Sequence, residues 1–578
     1  MSPPNPGLLS WLDNCPAAHW LAGWGSFTVL LATCFAPLAA GPQDSPALGR
    51  RPAWQRILSA NALFSLAIIL VFVAFRWPLW LTGPLENPDE SELITAALTL
   101  RDGGLPWKHI DCHTSGPLNA YALLLALPLG LPLDYVGARV IATLLQIGSV
   151  LAFWGAARRF IPEWAARLAV LPAINLWACR WFHDMVQYSS ELPSVLLLSL
   201  AGWIGACALT TDRQRLRLWL LSLAGALLAS APILAKLQSA PLAATLGIVL
   251  LCAVWFQSHG PKHSQHARLH GAAALAAGAV VPFAALCIYL TIFGLLAQFR
   301  VFFWQSNALY AATRLYPLSD SPEAFLTILI QFRGCATTVL CTFAFGALAL
   351  VPSLATRTGR LRLLSAWLLL ASALVSIVGA GRYAQHYLHY LAIPLAWLAA
   401  VSLDGLQRHL RSAVPRLRHA PAVLATTFLV ATAAWPAWQT DISQRPLTGY
   451  IAGWQVRQAG RIGSRLRELA APGDKLVVWG WAPGLHVEAG LSCGVRGAQS
   501  ERSINPGPLQ NDYRWRYLHD LRRHRPRWFV DAVAPGQFGF QERSRFGHET
   551  WPELRELIAA DYEQIADIDQ VRIYRRRD

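Results

Sequence analysis

Charge is scarce in this chain: only 14% of its 578 residues are Asp, Glu, Lys or Arg, whereas 54% are hydrophobic. A soluble domain carries about a quarter charged residues, so the shortage excludes an ordinary globular enzyme and points to a polytopic membrane protein. Lysine is rarer still, confined to Lys108, Lys236, Lys262 and Lys475, with arginine supplying the rest of the 49 basic residues. The formal net charge of +16 would suit nucleic acid. The basic residues instead recur in short clusters between apolar runs, as orientation signals do, which argues against nucleic-acid binding. The 10 cysteines include no C-x-x-C pair, so no zinc-site or disulfide framework is visible. A basic leader region is missing from Met-Ser-Pro-Pro-Asn-Pro, and no signal peptide is expected there. Internal repeats and low-complexity segments are absent too.

What the chain has is hydrophobic length. Runs long enough to span a bilayer are predicted at 20–41, 58–82, 137–157, 163–179, 189–209, 217–235, 240–257, 271–297, 325–352, 363–380, 388–403 and 421–438. The first either spans or lies in the interface. Basic clusters at Arg50/Arg51/Arg56, Arg158/Arg159, Arg213/Arg215/Arg217, Lys262/Arg268, Arg357/Arg360/Arg362 and Arg408/Arg411/Arg416/Arg418 fall in alternate loops. The positive-inside rule assigns that face to the cytoplasm. The opposite face receives the acidic loop from Gly83 to Val136, Lys236, and everything after Trp438. There, Lys475–Gly480, Arg527–Asp531 and Gln570–Tyr574 read as strands, with helical patterns at Gln458–Ala470 and Tyr513–Arg523. The expected fold is a polytopic α-helical membrane protein of about 11–12 transmembrane helices with a small C-terminal α/β extracytoplasmic domain. The predicted divisions are 1–57 with a possible extra helix, 58–438 as the transmembrane domain, and 439–578 as the outer domain.

Carboxylates at a bilayer boundary are costly and call for a reason. Asp89, Glu90 and Glu92 follow a proline at the end of the 58–82 run, and Ser91–Leu100 predicts an amphipathic helix along the outer interface. Capping of that helix by its acids is the plain alternative, most of all for Glu92. Downstream, His109, Asp111 and His113 alternate, so an extended segment would place them on one side. They could bind a phosphate or a divalent metal, but such spacing also suits an ordinary polar loop. Glu191 is a second acid at the outer edge, with Asp184 as its competitor. Lys236 lies at an outer membrane end, where it could neutralise a lipid phosphate or merely snorkel. Arg382, His386 and His389 sit among tyrosines in Gly381–Tyr390, and arginine beside histidine suits phosphate.

These elements, in this order, resemble the GT-C superfamily of membrane glycosyltransferases, in the branch of protein O-mannosyltransferases and aminoarabinose or galacturonosyl lipid A transferases. The resemblance rests on Asp89-Glu90, Gly103-Gly104-Leu-Pro-Trp with Thr114-Ser-Gly-Pro-Leu, Ala138-Arg139, Lys236, Gly381-Arg-Tyr with His386-Tyr, and Val478-Trp-Gly-Trp-Ala-Pro-Gly. It covers about residues 58 to 500, and ordered co-occurrence carries its weight. It implies transfer of a sugar from a polyprenyl-phosphate carrier to a lipid, glycan or protein hydroxyl, with inversion, outside a bacterial cytoplasmic membrane. Asp89 would then be the base, with Glu90 beside it. Glu191 would orient the acceptor, and Lys236, Arg382 and His386 would hold the departing phosphate. His109, Asp111 and His113 would belong to the acceptor loop. No cofactor is required and no metal is assigned. A transporter, or a scaffold without catalysis, is the alternative. The sugar, the acceptor and the oligomeric state are not legible.

Overall fold

The computed structural model describes residues 16–39, 57, 60–80, 88–111, 114–179, 183–256, 265–313, 317–331, 333–379, 381–413, 420–421, 423–427 and 459–578. Among them, 7 helices are long and apolar enough to cross a membrane: Tyr135–Ala157, Glu191–Thr210, Gln214–Ala235, Leu237–Phe256, Gln265–Ile292, Arg357–Val378 and Gln385–Leu410. The bent pair Pro322–Ile330 and Cys335–Leu348 brings the number to 8, and shorter apolar helices cover Leu21–Pro37 and Asn61–Trp77. Most of the predicted runs therefore recur as helices, with two corrections, the first being that the 325–352 run is broken by a 116° bend within that pair. The 163–179 run is two short helices, Glu163–Leu168 and Leu171–Trp177. Pro172 has no N–H to continue the first helix, and residues 164–178 are all buried. The predicted run at 421–438 lies mostly outside the described residues, as does the junction at 439–458.

Hydrophobic composition alone does not pack helices in lipid; close approach does. Gln214–Ser230 and Gln265–Ile292 touch through reciprocal glycines. A Cβ at Gly225 would stand 2.0 Å from the Leu275 carbonyl oxygen, and one at Gly278 would stand 1.8 Å from that of Ser222. Away from this seam the same helices present Val280, Phe283, Ile288 and Leu223 outward. Such an apolar exterior is what lipid requires.

The acidic helix differs from its expectation. Asp89–Arg101 forms as predicted, but it is not an interfacial helix with one wet face, because Glu90, Ser91 and Leu93–Leu100 are all buried. The C-terminal domain covers the side that the sequence left in water. Thr95 Oγ1 donates to the Pro483 carbonyl at 3.3 Å, and the Cys493 N–H donates to Thr99 Oγ1 at 3.2 Å.

That domain holds a five-stranded sheet in the order β2-β1-β3-β5-β4, with β1 Lys475–Trp479, β2 Ser492–Cys493, β3 Trp528–Asp531, β4 Tyr562–Ile568 and β5 Val571–Arg576. β1 pairs in parallel with β2 and β3, while β5 runs antiparallel to β3 and β4. The interior strands β1 and β3 are almost wholly apolar and buried, as sheets covered on both faces demand. The domain docks on the membrane part through a buried ion pair, in which both Asp111 oxygens accept from Arg516.

Candidate functional site

Two backbone devices bring the site together. After Gln214–Ser230, residues Ala231–Ala235 form a π-helical turn, and Lys236 then adopts an extended conformation. Such turns recur at functional positions because they redirect one residue out of the helical ladder. Lys236 pairs with Ser115 in an isolated antiparallel bridge, and the Gly116 N–H donates to the Ala235 carbonyl at 2.6 Å. A Cβ at Gly116 would meet the Leu234 carbonyl oxygen at 2.1 Å, so only glycine permits this crossing. Asn119 Nδ2 adds a bond to the Ala235 carbonyl at 2.7 Å. On the neighbouring segment Tyr383 is held at φ 46°, a sparsely populated conformation for an aromatic residue.

The acids gather around the side chain thus presented. Lys236 Nζ stands 3.5 Å from Glu191 Oε1 and donates to Thr114 Oγ1 at 3.3 Å, with both members of the pair buried. Ser189 Oγ donates to the other Glu191 oxygen. Asp184, Glu191's competitor in the sequence, joins the same cluster: its Oδ2 accepts from the His386 backbone N–H at 3.2 Å and lies 3.2 Å from His386 Nδ1. The far ring nitrogen, Nε2, is 4.0 Å from Asp89 Oδ2. A carboxylate, an imidazole and a second carboxylate therefore stand in a row. Asp89 is 49% exposed and, with Glu92, Thr114, Ser190 and Lys236, lines a cleft enclosing about 540 Å3 including its open mouth.

Supporting residues fix this row. Trp177 Nε1 donates to His389 Nδ1 at 2.9 Å, and His389 Nε2 lies 3.2 Å from the Asp184 carbonyl. Since indole N–H can only donate, His389 carries its proton on Nε2 and is a neutral strut. Arg76, fully buried, donates to the carbonyls of Trp177, Met185 and Val186 at 2.7, 2.7 and 2.9 Å.

The remaining sequence candidates are committed to other partners. Glu90 is buried and committed: Arg139 Nη2 reaches its Oε2 at 2.8 Å and the Tyr188 N–H reaches its Oε1 at 2.7 Å. Asp111 is engaged by Arg516, while His109 Nδ1 accepts from the Leu105 N–H at 2.9 Å. His113 lies outside the described residues, so the proposed His109–Asp111–His113 alignment is not formed by the two that are described. Arg382 donates to the Thr313 carbonyl at 3.2 Å and stacks over Tyr310, whose hydroxyl bonds Tyr387 at 3.0 Å. It reaches the cluster through those tyrosines. Glu92 accepts from Trp481 Nε1 at 3.2 Å and Gln499 Nε2 at 3.1 Å, partners that nothing near it in sequence could announce. Burial, and then the Asp89 charge, push Glu92 up to about 8.

Among the described residues, one group has metal-ligand proximity: Asp531, His548 and Glu549 in the C-terminal domain. Arg543 stands 2.7 Å from Asp531 and Arg572 pairs with Glu549, so guanidinium groups fill the place of a cation.

No family model matches this sequence, and no curated protein matches it. Solved structures do. The chain is similar to ArnT from Cupriavidus metallidurans bound to undecaprenyl phosphate, at a TM-score of 0.54 and 14% identity, over 89% of this chain and 98% of that one. The apo state of the same protein gives 0.53 and 14%, over 89% and 97%. At such identity the likeness speaks for the fold, and at 89% of the chain it takes in both the helical bundle and the C-terminal sheet domain. The fold of this chain is that of ArnT from Cupriavidus metallidurans.

Proposed function

We propose that the chain is an inverting glycosyltransferase that moves a sugar from a polyprenyl-phosphate carrier to a hydroxyl of a lipid, glycan or protein. The reaction would run at the outer face of a bacterial cytoplasmic membrane, with the C-terminal domain extracytoplasmic. The division at 58–438 and 439–578 is part of this reading. Asp89 is the base. Its half-exposed carboxylate takes the acceptor's proton as the hydroxyl oxygen attacks the anomeric carbon and the carbon–oxygen bond to the phosphate breaks. The bond pair leaves with the polyprenyl phosphate, so no acid is needed for departure. Lys236 and His386 balance the charge that develops on the leaving oxygen. Glu191 and Asp184 are positioning residues, the first for Lys236 and the second for the His386 ring. Glu90 is likewise a positioning residue, because its oxygens are occupied. Arg382 holds the mouth through which the lipid phosphate arrives, and no metal is required.

One observation supports this reading most: a carboxylate open to a cleft that Lys236 also lines, 4.0 Å from the buried His386 ring, in a fold shared with a protein solved on undecaprenyl phosphate. Purified protein supplied with a panel of polyprenyl-phosphate sugars and envelope acceptors is expected to transfer label. Asp89→Asn should lower the rate by about 10²–10⁴-fold without loss of fold. Unchanged transfer in that variant would remove Asp89 from the chemistry. Transport of a sugar without bond formation would favour the transporter reading instead.

A further inference from the structure

A second concavity lies at the opposite end of the bundle. Tyr135–Ala157 starts beside Glu90, where its Arg139 forms the buried pair, and runs for 23 residues, about 34 Å of helix. It delivers Arg158 and Arg159 to an open basin of about 940 Å3, which Thr358, Arg362, Asp404 and Arg408 also line. These residues come from three separate segments. Basic residues that serve only to orient a chain need contact with water and have no reason to converge.

The charges are not cancelled. Asp404 Oδ2 accepts from Arg362 at 3.1 Å and from Arg408 at 2.9 Å, so one carboxylate serves two guanidinium groups. Glu163, just beyond the rim, pairs with Arg158 at 3.0 Å and with buried Arg167 at 2.7 Å. Arg159 donates to the neutral Thr210 hydroxyl at 2.8 Å. Five arginines against two carboxylates leave a formal charge of +3 around the basin. Arg158, Arg362 and Arg408 remain 33%, 24% and 42% exposed, so donors are left for a ligand. The field has a further source. Thr356 caps the 22-residue helix Arg357–Val378, its hydroxyl accepting from the Gly359 N–H, and the positive end of that helix opens onto the basin. Planar guanidinium forks match phosphate oxygens, and the ends of spanning helices lie at headgroup depth.

We propose that this basin binds the phosphate of an anionic phospholipid in the leaflet on that face, at a site separate from the Asp89 cleft and independent of the transfer reaction. The test is native mass spectrometry of the full chain, delipidated in detergent, with phosphatidylglycerol, phosphatidylethanolamine or inorganic phosphate added. Phosphatidylglycerol should be retained at least about tenfold better than phosphatidylethanolamine. Arg159→Gln with Arg408→Gln should abolish that preference. Because Asp404 is buried, a second variant, Arg362→Gln with Asp404→Asn and Arg408→Gln, removes cations and carboxylate together and should behave alike. Equal retention of the two lipids, or a preference surviving in both variants, overturns the proposal. Displacement of the lipid by millimolar inorganic phosphate would assign the basin to a free phosphate ligand and overturn the lipid source.

Discussion

Adjacent acids in this chain have opposite fates, and the difference is physical rather than chemical. Asp89 and Glu90 follow one another, yet one lines a cleft and the other is sealed against Arg139. Asp89→Asn should therefore leave thermal stability within about 1 kcal/mol while removing transfer. Glu90→Gln leaves the Arg139 charge without its balance in the interior and should cost about 3–5 kcal/mol. Calorimetry or a denaturation series beside a transfer assay separates the two. Glu92 provides a pH signature. Its carboxyl sits near 8 in the fold against an ordinary value of 4.5, so the folded protein keeps a proton that the unfolded chain releases. The stability tied to this group is present below about 4.5 and is lost as pH rises through about 8. Glu92→Gln should thus match the wild type in Tm near pH 4.5, gain on it up to pH 8, and level off above.

At the scale of elements, the site depends on a crossing of two backbone segments, which the Asn119 side chain helps to hold. Gly116 permits the Ser115–Lys236 bridge, and Gly116→Ala would force the Leu234 carbonyl away. Overpacking of this kind costs about 1–3 kcal/mol. The expected outcome is a lower Tm together with a transfer rate reduced beyond what Lys236 exposure alone explains, read from Tm and rate side by side. Here the limits of sequence are clear. The spanning runs and three of the five strands were legible, since hydrophobic length and β-branched runs are local signals. β4 was not: it is an edge strand carrying Glu563 and Asp567, with a bulge between Gln564 and Ala566. The Ser115–Lys236 bridge was equally invisible, because its members are distant in sequence. Asp89, Glu191, Lys236 and His386 could be named from their places at membrane edges. That Asp184 and Glu191 both belong to one cluster could not, because the choice depended on how residues 183–191 fold back under Arg76.

Over the whole molecule, the sheet domain and the helical bundle form a continuous site. Glu92 takes its hydrogen bonds from Trp481 and Gln499, and Asp111 answers Arg516 across the junction. Arg516→Ala would leave Asp111 buried with its charge uncompensated, and the junction should loosen. Limited proteolysis near residue 459 should accelerate, and acceptor turnover should fall even though Asp89 is untouched. Hydrogen–deuterium exchange in the Asp89–Arg101 helix would rise in the same variant if the junction holds that helix in place.

The burial of that short helix on two sides has a wider consequence. Its first turn cannot be reshaped by drift in either body alone, since each serves as a mould for the other. A lineage changing its acceptor would have to alter Trp481, Gln499 and their neighbours in concert with the acidic turn. A ligand wedged at the seam would reach the acidic turn through the sheet domain, without threading the helical bundle.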